Sequence, residues 1–112
     1  IEIIEPLARA AAGVLGDLGY RVDLRTGDGH AGWPERAPFD AIIVSAASPD
    51  IPQPLVEQLA PGGRLILPIG NREQQVLTFC TREPDGQVKC ETVSDVRFVP
   101  LIGQFGFAGD AR

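Results

Sequence analysis

The chain has 112 residues, 44% of them apolar and 22% charged, which allows one domain with a modest core and argues against a disordered polymer. A net charge of −5, with ten basic residues scattered along the chain, disfavours a nucleic acid or an anionic membrane as partner. No apolar run approaches the roughly 20 residues of a membrane span, and no secretory leader is visible, so a cytoplasmic location is expected.

In chain order, Ile1-Glu2-Ile3-Ile4 reads as the end of a strand. It looks like the middle of an element, and the sequence holds no methionine, so a fragment of a longer protein is expected. Pro6 suits the first turn of a helix, where its missing N–H costs nothing. Leu7, Ala11, Val14, Leu15 and Leu18 fall at helical spacing and predict one apolar stripe, stopped at Gly19. Arg21 to Arg25 reads as a short strand ending in the turn Gly27-Asp28-Gly29. Residues 30–38 read as a loop, with Trp33 as a packed anchor and His30 exposed and idle. Ala41-Ile42-Ile43-Val44 is a continuous apolar run, as in a strand buried on both faces.

The small residues Ser45, Ala46, Ala47 and Ser48 follow. They suit a strand-to-helix connection with Ser48 or Asp50 as cap, or a place where something approaches the backbone. Pro52 to Leu59 predicts a short helix with Leu55, Val56 and Leu59 inward, terminated by Pro61-Gly62-Gly63. Leu65 to Ile69 is a second fully apolar strand. Gln75 to Arg82 and Gln87 to Val99 predict a hairpin about the Asp85-Gly86 turn. That hairpin sets Cys80 opposite Cys90. A disulfide is conceivable there, but two half-buried thiols of a cytosolic protein are the expectation. One histidine and two cysteines do not readily assemble a four-ligand zinc site, so no metal is expected.

Strands alternating with helices predict one α/β domain over residues 1–112, with a mostly parallel sheet and a C-terminal antiparallel hairpin. Such sheets bind ligands at the carboxyl ends of their strands. The tips here carry Glu2, then Asp28 and Gly29, then Ser45, Ala46 and Ala47, then Gly70 and Asn71. A carboxylate at a strand end accepts two hydrogen bonds from a ribose diol, which suits Glu2. Asp28 can accept from the exocyclic amine of a base, and Gly29, lacking a Cβ, lets a flat ring lie on the backbone. Together they describe a nucleoside site. Plainer readings stay open: Glu2 as a solvated strand-end acid, and Asp28 as a turn residue. Ser45 has no Gly-x-Ser-x-Gly setting, which disfavours a serine hydrolase.

The segment "GDGHAGWPERAPFDAIIVSAASPDIPQPLVEQLAPGGRLILPIG", the ending "VRFVPLIGQFGF" and the opening "IEIIEPLA" strongly resemble the protein-L-isoaspartate O-methyltransferase family, from Ile1 to about Phe107. "GDG-x-x-GW", "APFDAIIV-x-AA-x-P" and "LxPGGRLxxPxG" are specific in combination, whereas "PGGRL" alone is common among methyltransferases. The resemblance implies a partial Rossmann-like fold that binds S-adenosyl-L-methionine. It implies methyl transfer to the α-carboxylate of L-isoaspartyl residues in damaged proteins. The ester then closes to a succinimide and reopens partly to normal aspartate. Isoaspartyl-containing proteins or peptides are the implied partners.

Carried over by residue, the resemblance makes Glu2 the ribose acid and Ile3 an adenine contact. Asp28 and Gly29 lie at the adenine edge, and Ile102 falls at a further cofactor position without a hydroxyl to donate. Ser45, Ala46 and Ala47 border the methyl group and substrate, and Val99, Pro100 and Leu101 border the substrate groove. The family's glycine-rich loop and the segment with its active-site serine have no counterpart in this sequence. No catalytic residue is therefore assigned, and the 112 residues alone are expected not to catalyse. The absent first strand is central in the parent fold, so strands flanking it are expected to pair directly, associate with another copy, or be completed by other residues. Two alternatives are a relative that modifies the aspartate of one dedicated peptide, and a non-catalytic half-fold serving as an assembly module. A nicotinamide dehydrogenase shares the ribose acid, but nothing here resembles a hydride-transfer site.

Overall fold

The computed structural model describes residues 1–104, 106 and 107; Phe105 of the C-terminal motif lies outside them. Helix α1 spans Glu5–Asp17, and two 3-10 turns follow at Gly29–Ala31 and Pro34–Arg36. Strand β1 (Phe39–Ile43), helix α2 (Gln53–Glu57) and strands β2 (Leu59–Gly70), β3 (Gln75–Arg82) and β4 (Val88–Val96) complete the fold. The architecture is α/β with a mixed four-stranded sheet in the order β1-β2-β3-β4.

β1 and β2 run parallel, with Ile42 beside Leu65, and the other two pairs are antiparallel. Alternation along β2 turns Leu65 and Leu67 inward, where they pack with Leu55, Leu59 and Cys80 to form the core. α2 is too short to hold itself together by propensity. Leu55 anchors it in the core, and the Arg82 guanidinium donates to the Glu57 carbonyl at its C-terminal end and to the Leu59 carbonyl at the start of β2, at 3.1 and 2.8 Å. Neither Ser48 nor Asp50 caps α2, whose N-cap is Pro52; the Ser48 hydroxyl donates instead to the Asp50 carbonyl at 2.6 Å.

Several expectations are corrected. Residues 1–4 and 21–25 form no strands; a single parallel bridge joins Glu2 to Thr26. The two segments share too few backbone bonds for a ladder, and the side chains of Asp23 and Arg25 turn instead to Arg36 and Glu35. The stripe of α1 is not buried: Leu7, Val14 and Leu18 are exposed, and Ala8 is the buried residue of the helix. β1 is not covered on both faces either. Among the described residues it is an edge strand beside β2, and Ile43 is 80% exposed. Pro61-Gly62-Gly63 does not end α2 but lies within β2. There the register passes from Phe39–Leu59 to Ala41–Arg64, so the extra β2 residues bulge out.

The hairpin forms as expected, with Gly86 at φ +89 and the Asp85 carboxylate accepting the Gln87 N–H at 2.9 Å. The expectation of free thiols is overturned, because Cys80 and Cys90 form a disulfide. The β3–β4 register sets them directly opposite, Cα atoms 4.1 Å apart, so geometry decides over the compartment argument.

Candidate active site

A cavity of about 390 Å³ opens between the N-terminal segment, the carboxyl end of β1 and residues 99–102. It forms because β1 stops at Ile43 and hands the chain to side chains too small to fill the space beyond it. Ser45 and Ala46 line it, as do Glu2, Ile3 and Gly29. Val99, Pro100, Leu101 and Ile102 close the far side. Nine of the eleven residues that the resemblance assigns to cofactor or substrate thus meet in one place.

Glu2 is half-buried, and its carboxylate accepts the Ile4 N–H at 2.9 Å. Its backbone accepts from the Gly27 N–H and donates to the Arg25 carbonyl, both at 3.0 Å. These bonds bring the tip at residue 2 against the turn at residues 27–29. A carboxylate oxygen and a Cβ-free backbone therefore border the same end of the cavity, which suits a diol beside a flat ring.

Asp28, Ala47, Gly70 and Asn71 are not brought to the cavity lining; the expected fourth strand tip is absent from it, and residues 99–102 stand there instead. Asp28 is exposed and precedes the first 3-10 turn, so its neighbour Gly29 takes the wall. Ala47 is fully buried; its N–H donates to the Val99 carbonyl at 2.6 Å and its carbonyl accepts the Leu101 N–H at 2.5 Å. It works as a two-bond hook holding the 99–101 wall beside Ser45 and Ala46. Asn71 serves a turn, its side-chain oxygen accepting the N–H groups of Glu73 and Gln74.

Trp33 lines the cavity as well as anchoring its loop, with the guanidinium groups of Arg25 and Arg36 at 5.5 and 5.3 Å from its ring centre. His30 is not exposed and idle, as the sequence suggested. It is 2% exposed, and its Nε2 accepts the Gln104 N–H at 3.1 Å, linking the 29–31 turn to the C-terminal segment. Gln58, another lining residue, drew no expectation at all. Its one signal was a polar residue between Leu55 and Leu59, on the side of the chain that faces the core.

Among the described residues, no group of three or more histidine, cysteine or acidic side chains stands close enough to hold a metal. No helix among them is long and apolar enough to cross a membrane.

Residues 1–106 match the model of the protein family described as Protein-L-isoaspartate(D-aspartate) O-methyltransferase. The chain is 53% identical over 105 residues to Protein-L-isoaspartate O-methyltransferase 1 of Nitrosospira multiformis, covering 92% of this chain and 44% of the relative. It is 56% identical over 104 residues to the Anaeromyxobacter dehalogenans Protein-L-isoaspartate O-methyltransferase, covering 90% and 50%. The chain spans about half the length of the curated relatives it matches. A solved structure named protein-L-isoaspartate O-methyltransferase superposes with a TM-score of 0.84 at 28% identity, covering 94% of this chain and 34% of the other. A second, described as a Plasmodium falciparum putative protein-L-isoaspartate O-methyltransferase in complex with S-adenosyl-L-homocysteine, superposes with a TM-score of 0.74 at 27% identity, covering 90% and 50%.

Proposed function

We propose, from the premise that this chain belongs to the protein-L-isoaspartate(D-aspartate) O-methyltransferase family, that it supplies the adenosine end and the substrate edge of a methyl-transfer site. The substrate is the α-carboxylate of an L-isoaspartyl residue in a damaged protein or peptide. The methyl donor is S-adenosyl-L-methionine, whose sulfonium, when bound, supplies an activated methyl group. Bound beside these residues, it would give that methyl group to the substrate carboxylate by in-line displacement, its carbon–sulfur bond breaking, and would depart as S-adenosyl-L-homocysteine.

The observation that carries this reading is the meeting of residues 2–3, 29, 45–46 and 99–102 around one cavity. The Glu2 carboxylate would accept the ribose hydroxyls, and Ile3 and Gly29 would flank the adenine. Asp28 would approach the base edge from outside the lining, and Ile102 would add an apolar contact. Ser45 and Ala46 would leave room for the peptide carboxylate to reach the methyl group, with Ala47 holding Val99, Pro100 and Leu101 at the groove. A carboxylate is already a nucleophile, so the residues here need only orient it and exclude water; no general base is assigned.

The decisive experiment is calorimetric titration of S-adenosyl-L-homocysteine into this chain and into a form extended at its N-terminus by the matching segment of a relative. The extended form is expected to bind and to methylate isoaspartyl peptides of varied sequence; this chain alone is expected to bind far more weakly and not to catalyse. Failure of both forms to bind would overturn the reading. Methylation of only one peptide sequence would favour a dedicated peptide-modifying relative. A second reading, self-association as an assembly module, draws on the free edge of β1 and the exposure of Ile43. A stable oligomer that takes up no S-adenosyl-L-homocysteine would favour it.

A further inference from the structure

A glutamine buried at the end of α2 must satisfy an oxygen and an NH2 group without water. Gln58 is 7% exposed, and it satisfies both on one stretch of chain. Its Oε1 accepts the Trp33 N–H at 2.8 Å, and its Nε2 donates to the Ala31 carbonyl at 2.9 Å. Between those partners sits Gly32, at φ +67, where a Cβ would stand 2.1 Å from Oε1. The planar amide and the glycine are therefore fitted to each other. The Gln58 carbonyl also accepts the Phe39 N–H at 2.8 Å, tying the same residue to the head of β1. Gly29, Trp33, Phe39 and Gln58 all line the cavity.

We propose that Gln58 is a positioning residue: its side-chain amide sets the backbone from Ala31 to Trp33, and through it the place of Gly29 and Trp33 in the adenosine wall. This rests on the cofactor reading above. Gln58 acts through the loop, not on the methyl group. Its task needs one acceptor and one donor in the same plane. Glutamate offers only acceptors, placing an oxygen against the Ala31 carbonyl, and methionine offers neither.

Hydrogen exchange and S-adenosyl-L-homocysteine titration on Gln58→Met and Gln58→Glu test the proposal, in this chain and in the extended form. Gln58→Met is expected to speed exchange of the Trp33 amide by tenfold or more while the interior amides of β2 keep their protection. Gln58→Glu retains an acceptor and is expected to keep the Trp33 amide slow. In the binding-competent form, Gln58→Met is expected to weaken affinity by about tenfold, because the loosened wall must then be ordered on binding. Equal acceleration at Trp33 and throughout β2 would make Gln58 an ordinary core residue and overturn the proposal. So would a loosened loop with unchanged affinity. If the unsubstituted protein binds in neither form, the cofactor reading fails and the wall loses its role, whereas exchange at Trp33 still judges the loop contact by itself.

Discussion

Small side chains in this protein answer two different demands. Ser45 and Ala46 keep the cavity open, whereas Gly63 admits main chain. A Cβ on Gly63 would stand 2.7 Å from the Ala60 carbonyl oxygen and 3.0 Å from that of Phe39. Both atoms are backbone and cannot swing aside, so the bulge that fits β2 to β1 would have to shift. Gly63→Ala is expected to destabilise the fold by about 1–3 kcal/mol, in the range of overpacked sites, read as a lower midpoint in urea unfolding. An unchanged midpoint would contradict this account of the bulge. The small pair Ser45 and Ala46 stood out because it closes an apolar strand, where bulk would be expected, whereas the buried place of Ala47 did not. Gln58 and His30 did not stand out either. Their partners lie 25 and 27 residues away for Gln58 and 74 residues away for His30, and no local pattern announces them.

The elements divide by how far each reaches for its partner. The residues of β3, Gln75–Arg82, were readable end to end because the Asp85-Gly86 turn pairs them with a neighbour in sequence. Residues 1–4 and 21–25 have strand composition, but a strand is stable only within a ladder, and here one bridge, Glu2 to Thr26 just past the second segment, takes its place. The stripe of α1 was legible as helix, and Glu5–Asp17 is helical. Its burial was not legible, because covering Leu7, Val14 and Leu18 depends on what packs against them. A 13-residue helix with Ala8 as its one buried residue is marginal in water. Hydrogen exchange on this chain is therefore expected to find α1 amides at least about a hundredfold less protected than those of β2 and β3, which surround the core. Equal protection would mean that α1 is held by contacts other than those described.

At the scale of the whole molecule, the apolar surface is unevenly covered. Leu55, Leu59, Leu65, Leu67 and Cys80 are enclosed between α2 and the sheet. Leu18, Tyr20 and Ile43 are 65%, 65% and 80% exposed. The cavity lies where the two meet, lined by buried Leu55 and Gln58 and by exposed Ile43 and Val99. The central claim is spatial: the tips at residues 2–3, 29, 45–46 and 99–102 form one receptor for adenosine and a neighbouring peptide acid. Mapping backbone amide NMR shifts during titration with S-adenosyl-L-homocysteine, on the N-terminally extended form, tests it most directly. The account predicts that Glu2, Ile3, Gly29, Ser45, Ala46 and Ile102 shift together along one saturation curve, with β4 unmoved. Saturable shifts that bypass the turn at Gly29 and the segment at Glu2, or that gather on β4, would contradict it.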